Sequence, residues 1–104
     1  MPVYVIAQIK IHDPEGYKKY EEGFIPIFMK YGGTFLGLSE DPEILEGEWP
    51  FTRAVLISFE TAEKARAWMN SPEYQEIAKH RHAASTGTVM MVPGFSLEDV
   101  QPPA

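Results

Sequence analysis

Residues 3–14 read VYVIAQIKIHDP, and this stretch decides the fold class because a strand pattern runs directly into a helix start. The odd-numbered positions 3–11 are all apolar, whereas the even-numbered ones mix apolar and polar side chains. Since successive side chains of a strand point to opposite faces, the pattern predicts a strand with one apolar and one mixed face. Asp13 can then cap a helix whose first turn accommodates Pro14. The pattern therefore predicts a strand followed at once by a helix.

This first predicted helix carries an apolar stripe dominated by aromatic side chains. The stripe recurs at steps of three and four residues and comprises Tyr17, Tyr20, Phe24, Ile27, Phe28 and Tyr31. Such a spacing places the stripe on one face, which we expect to pack on a core. Because Pro26 removes a helical N–H and crowds the preceding turn, a kink or a break is predicted between Gly23 and Pro26.

The remaining elements complete a known topology. Strand patterns are predicted at residues 34–38, 52–59 and 86–92. Thr61 and Ser71 are predicted to cap two short helices between the last two strands. The order matches the ferredoxin-like βαββαβ unit, an α+β fold whose four-stranded antiparallel sheet carries its helices on one face. We expect one domain over residues 1–94 and a C-terminal tail over residues 95–104.

The predicted register leaves an apolar patch on the sheet face that the helices do not cover. Its members are Tyr4, Ile6, Leu56, Met90 and Val92. A patch of this size needs a cover, and the simplest cover is a second copy related by two-fold symmetry. The sequence therefore predicts a homodimer in which two sheets pack face to face as a dimeric α/β barrel.

Composition excludes several classes of function. The chain has 104 residues, 44% of them hydrophobic, and no apolar run approaches the roughly 20 residues of a membrane span, so we expect a globular protein outside the membrane. A formal net charge of −6 disfavours nucleic-acid binding, which depends on cationic contacts. The absence of cysteine excludes disulfides and zinc-thiolate sites. The first residues lack a signal-peptide pattern, so a cytoplasmic location is expected.

His80 and Arg81 are the candidate catalytic residues, with His12 as a further candidate base. An imidazole titrates near neutral pH, and a guanidinium presents a rigid fork of donors for a carboxylate or enolate oxygen. His80 and His82 are two positions apart on a helix and point in nearly opposite directions, so no metal site is expected. The alternative is that these cations only favour the C-terminal end of the helix dipole.

Arg53, Trp49, Tyr17 and Tyr74 are the candidate ligand-binding residues, with Tyr20 beside them as part of an aromatic wall. The alternative for the tyrosines is plain core packing, since aromatic side chains at helical spacing are usually core. The alternative for Arg53 and Arg81 is a structural ion pair with Glu46, Glu48 or Glu73. No glycine-rich phosphate loop or catalytic signature motif is present, and no cofactor is expected.

Several motifs carry a family resemblance. They are Gly32-Gly33, the Glu-Gly-x-Trp run at residues 46–49 and, most specifically, AWMNSPEYQ at residues 67–75. With these motifs the chain resembles the small bacterial proteins called domain of unknown function 1330, which belong to the dimeric α/β-barrel superfamily. The resemblance implies the fold and the dimer but no activity.

Three functions follow from this resemblance and the candidate residues. The first is binding of a small organic molecule between sheet and helices, with a cofactor-independent reaction of monooxygenase or isomerase type, as in other members of the superfamily. The second is a non-catalytic dimer that senses a ligand or serves a structural role. The third is heme binding or degradation, for which Gln8, Trp68 and His80 stand on elements comparable to those of heme-degrading superfamily members.

Overall fold

The computed structural model describes residues 2–96, and its helices and strands follow the predicted order. They are β1 (Val3–Ile11), α1 (Pro14–Lys30), β2 (Thr34–Ser39), β3 (Arg53–Phe59), α2 (Ala62–Met69), α3 (Pro72–Ala84) and β4 (Ser85–Pro93). This is an α+β, ferredoxin-like arrangement of four strands and three helices. Most of the predicted tail, from residue 97 onward, lies outside the described residues.

The four strands form one antiparallel sheet in the order β2-β3-β1-β4. On the central strand β1, Ile6 lies opposite Leu56 of β3 and Met90 of β4. Tyr4 lies opposite Val92, so the predicted patch occupies a single face of the sheet. We call this the open face, because the helices cover the other one.

The open face is apolar and accessible. Leu56, Met90 and Val92 are 37%, 46% and 40% exposed. The opposite face supplies the buried strand residues of the core, which are Val3, Val5, Ile9, Ile57 and Phe59. Strand alternation therefore separates the core from the open face as the sequence predicts.

All three predicted helix caps are present. The side-chain oxygens of Asp13, Thr61 and Ser71 each accept a hydrogen bond from the backbone N–H three residues on, at 3.2, 3.2 and 3.1 Å. These bonds satisfy N–H groups that have no partner within the helix. They explain why α2 and α3 form separate helices with Ser71 at the boundary.

Within the described residues, no helix has the length and apolar character needed to cross a bilayer.

Helix α1 runs through Pro26 without the predicted break. Phe24 and Phe28 flank the proline and stack on each other with ring centroids 5.1 Å apart. Phe28 is completely buried and also packs against Phe59 and Trp68. The packing on both sides of Pro26 outweighs the one hydrogen bond that the proline cannot donate.

Candidate functional site

A cavity of about 230 Å³ lies between the helix-covered face of the sheet and the helices. Its walls are mostly apolar, with Val5, Ala7 and Ile9 of β1 on the sheet side and aromatic side chains of α1 opposite. The lining side chains that carry polar atoms are Tyr17, Tyr20, Glu21, Arg53, Trp68, Tyr74 and Arg81. A concave apolar space with a few polar groups is the usual form of a small-molecule site.

Tyr20 and Tyr74 join α1 to α3 inside this cavity. Their hydroxyl oxygens are 2.8 Å apart and buried. In such a pair one hydroxyl donates to the other, which keeps its own hydrogen available for a further acceptor. The pair therefore holds the two helices in register and offers one donor to the cavity.

Burial also keeps Tyr17 and Tyr20 neutral. Loss of hydration raises the pKa of Tyr20 far above its ordinary value of 10.0, and Tyr74 adds to the shift while Arg81 opposes it. Burial likewise raises the pKa of Tyr17, although Arg53 and Arg81 lower it in part. Since a phenol with a raised pKa gives up its proton reluctantly, Tyr17 and Tyr20 keep their hydroxyl protons at neutral pH.

A Tyr20→Phe variant should reduce the sensitivity of the protein to alkali. Unfolding exposes Tyr20 with its ordinary pKa of 10.0, so the wild type loses stability as pH rises above that value. The loss should be about 1.4 kcal/mol per pH unit for this group, and the variant should lack that contribution. At neutral pH the variant should lose about 1 kcal/mol with the Tyr20–Tyr74 hydrogen bond.

Urea unfolding of both proteins at about pH 8 and about pH 11 measures this difference. The wild type serves as the control for every other ionisable group, since these groups are the same in both proteins. Equal loss of stability in the two proteins between these pH values would contradict the buried, neutral state of Tyr20.

Arg53 is held by carboxylates at the edge of the cavity. Its guanidinium lies 3.2 Å from Glu40 and 3.5 Å from Glu21, and its side chain is 14% exposed. It also lies 5.6 Å from the ring centroid of Tyr17. Arg53 therefore forms ion pairs, but with Glu21 and Glu40 and not with the predicted Glu46, Glu48 or Glu73.

Arg81 has a different environment. Its guanidinium carbon lies 5.6 Å from the ring centroid of Tyr20, and one terminal nitrogen lies 3.3 Å from His82 Nε2. No carboxylate within residues 2–96 pairs with it, and its Nε is buried without a hydrogen-bond partner. Glu73, one of the predicted partners, binds Lys30 at 2.7 Å instead. The cavity therefore contains a cation with no counter-ion among the described residues.

Trp68 supplies a second buried donor. The side chain is 2% exposed, and its ring lies against that of Tyr74 with centroids 4.3 Å apart. Its Nε1 has no hydrogen-bond partner in the described part of the chain. A buried N–H without a partner costs free energy, so these two donors need an explanation.

The other candidate residues lie elsewhere. His12, His80 and His82 are exposed, and none of them is part of the cavity lining. Trp49 packs against Phe51 in the loop after β2, with ring centroids 5.9 Å apart, and does not line the cavity. Tyr17, Tyr74, Arg53 and Arg81 do line it.

The sequence reasoning did not single out Glu21 as a site residue. Glu21 follows Tyr17 by four positions and precedes Phe24 by three, so it falls on the aromatic stripe of α1. A carboxylate on an otherwise apolar stripe was the available signal. It places an acceptor beside Arg53 at the cavity.

The residues considered for heme do not meet. Gln8 lies opposite Ala54 and Thr88, which places it on the open face of the sheet. Trp68 lines the cavity on the other face, and His80 is exposed on α3. The structure therefore does not bring this set to one site.

Solved structures share this fold at low sequence identity. A protein of unknown function from Rhodopseudomonas palustris has 18% identity and a TM-score of 0.77, with 91% of this chain and 83% of that chain covered. A cofactor-independent oxygenase from Streptomyces nogalater has 15% identity and a TM-score of 0.65, with 95% and 98% covered. A dimeric ferredoxin-like protein of unknown function from a Jannaschia species has 10% identity and a TM-score of 0.66, with 90% and 100% covered.

At these identities the structural similarity establishes the fold. No curated protein matches the chain in sequence. The model of one protein family, described as domain of unknown function DUF1330, matches residues 2–95 and so spans every strand and helix described above. The chain therefore belongs to the DUF1330 family.

Proposed function

We propose that the protein is a homodimer in which each subunit binds a small organic molecule in the cavity between sheet and helices. The observation that carries the proposal is the cavity itself, because about 230 Å³ of mostly apolar space is left open beside a few polar groups. Well-packed cores rarely leave such a volume unfilled. The open face of the sheet supports the dimer, as does the description of the Jannaschia neighbour as dimeric.

The proposed binding is tested by filling the cavity. Ala7 lines it from the middle of β1, and a phenylalanine there would occupy the space that a ligand needs. The wild type should gain thermal stability with at least one member of a panel of small carboxylates, phenols and quinones. A ligand present at about 100 times its Kd should add about 2.7 kcal/mol to the free energy of unfolding. Ala7→Phe should abolish that gain.

Ala67→Phe is the matched control, because Ala67 is exposed on α2 and the same side chain is added outside the cavity. This variant should keep the stabilisation of the wild type. If the ligands stabilise Ala7→Phe as much as the wild type, they bind outside the cavity and the proposal is wrong. The proposal is also wrong if no compound of the panel stabilises the wild type.

A cofactor-independent reaction of monooxygenase or isomerase type is a second candidate. It is favoured by Arg81, because a guanidinium stabilises the enolate oxygen that forms when such substrates lose a proton. The fold of the Streptomyces nogalater oxygenase is compatible with it.

Ligand sensing without turnover is favoured by the position of the histidines outside the cavity, since a base is needed for proton removal. Chromatography and mass spectrometry of the ligand after incubation in air separate the two, because a monooxygenase or an isomerase changes the ligand and a sensor leaves it unchanged.

A further inference from the structure

We propose that the natural ligand is a planar aromatic anion of one or two rings, whose carboxylate or enolate oxygen lies against Arg81. This inference rests on the proposed binding function and specifies the chemical class of the ligand. It follows from the charge, the hydrogen-bonding groups and the size of the cavity.

The two arginines of the cavity differ in their ion pairs. Arg53 is balanced by Glu21 and Glu40, and therefore needs no charge from a ligand. Arg81 has no carboxylate partner within residues 2–96, although the whole chain carries a formal net charge of −6. A half-buried guanidinium without a counter-ion is costly, and an anionic ligand removes that cost.

The hydrogen-bonding groups of the cavity also favour an anionic ligand. Arg81 Nε and Trp68 Nε1 are both buried donors without a partner in the described residues. The Tyr20–Tyr74 pair has one hydroxyl hydrogen left over. Glu21, the carboxylate in the lining, is already paired with Arg53. The side chains that line the cavity thus include several donors and no unpaired carboxylate, which favours a ligand rich in acceptor oxygens.

The volume and the lining of the cavity favour an aromatic ring system as the remainder of the ligand. The cavity measures about 230 Å³, and a 150 Å³ cavity in another protein holds one benzene ring. One or two rings therefore fit. Trp68, Tyr74 and Tyr20 line the cavity with centroids 4.3 and 6.1 Å apart and with their ring planes inclined by 45° and 77°. Aromatic edges and faces of this kind contact an aromatic ligand in edge-to-face as well as offset-stacked geometry.

The test compares 2-naphthoate with 2-naphthamide by titration calorimetry. The two compounds have nearly the same shape, and only the naphthoate carries a charge. We expect the wild type to bind 2-naphthoate about 10- to 100-fold more tightly, as for hydrogen bonds to a charged group. Arg81→Gln should reduce that preference to less than about threefold by removing the charge. Arg81→Lys should retain part of it.

Lys79→Gln is the matched control, since it removes one positive charge from the same helix at an exposed position paired with Glu76. It should keep the preference of the wild type. Equal affinity of the wild type for both compounds would overturn the anion inference, while loss of both affinities in Ala7→Phe would still support a binding cavity. If the wild type binds neither compound, the anion inference fails, and the proposed function is then decided by the panel of carboxylates, phenols and quinones. The wild-type comparison decides the question even if Arg81→Gln does not fold.

Discussion

The Ile6→Lys variant is expected to sediment as a monomer at concentrations where the wild type is a dimer. Ile6 lies at the centre of the open face, between Leu56 and Met90 on the neighbouring strands. Two-fold symmetry would place two lysines in the proposed interface at once. Burying an ammonium group without a partner costs several kcal/mol, so the dimer dissociation constant should rise by about 1000-fold or more.

Sedimentation velocity of both proteins over a range of concentrations measures this effect. Ala67→Lys is the control, because it adds the same charge on the exposed side of α2 and should leave the dimer intact. A wild type that sediments as a monomer would contradict the proposed dimer. A dimer that survives in Ile6→Lys would show that a different surface forms the contact.

The faces of the strands and the starts of the helices could be predicted because they depend on local rules. Alternation along β1 determines which side chains share the open face, whatever the rest of the chain does. The caps Asp13, Thr61 and Ser71 act over three residues, and all three were predicted correctly. Of the kink or break predicted at Pro26, the break does not occur, because the packing of Phe24 and Phe28 against the core outweighs the local cost of the proline.

The site was less predictable because it depends on contacts between distant segments. The sequence identified both arginines, but it could not assign Glu21 and Glu40 to Arg53, since these residues come from α1 and from the loop after β2. The pairing of Glu73 with Lys30 left Arg81 without its predicted partner. The Tyr20–Tyr74 hydrogen bond joins residues 54 positions apart. This three-dimensional pairing gives Arg53 two carboxylate partners and leaves Arg81 with none among the described residues.

The Phe28→Ala variant is expected to lose about 3–5 kcal/mol of stability, the usual cost of removing a buried phenylalanine ring. Phe28 is 0% exposed and packs within 4.9–5.6 Å, between ring centroids, of Phe24, Phe35 and Phe59. The Phe28 ring also lies directly against Gly33, where an added Cβ would overlap it. For a chain of this size the loss corresponds to a fall in Tm of roughly 15–30 °C.

The adjacent Met29→Ala is the matched control, because Met29 is 65% exposed and should change stability by less than about 0.5 kcal/mol. Urea unfolding of both variants and the wild type at one fixed protein concentration keeps differences in concentration from changing the apparent stability. A loss below about 1 kcal/mol in Phe28→Ala would contradict the packing described here. Phe24 and Phe35 line the cavity and rest on Phe28, so the variant should also weaken ligand binding. Stability and ligand binding would then decrease together, because the Phe28 ring fills the core and also supports the cavity wall.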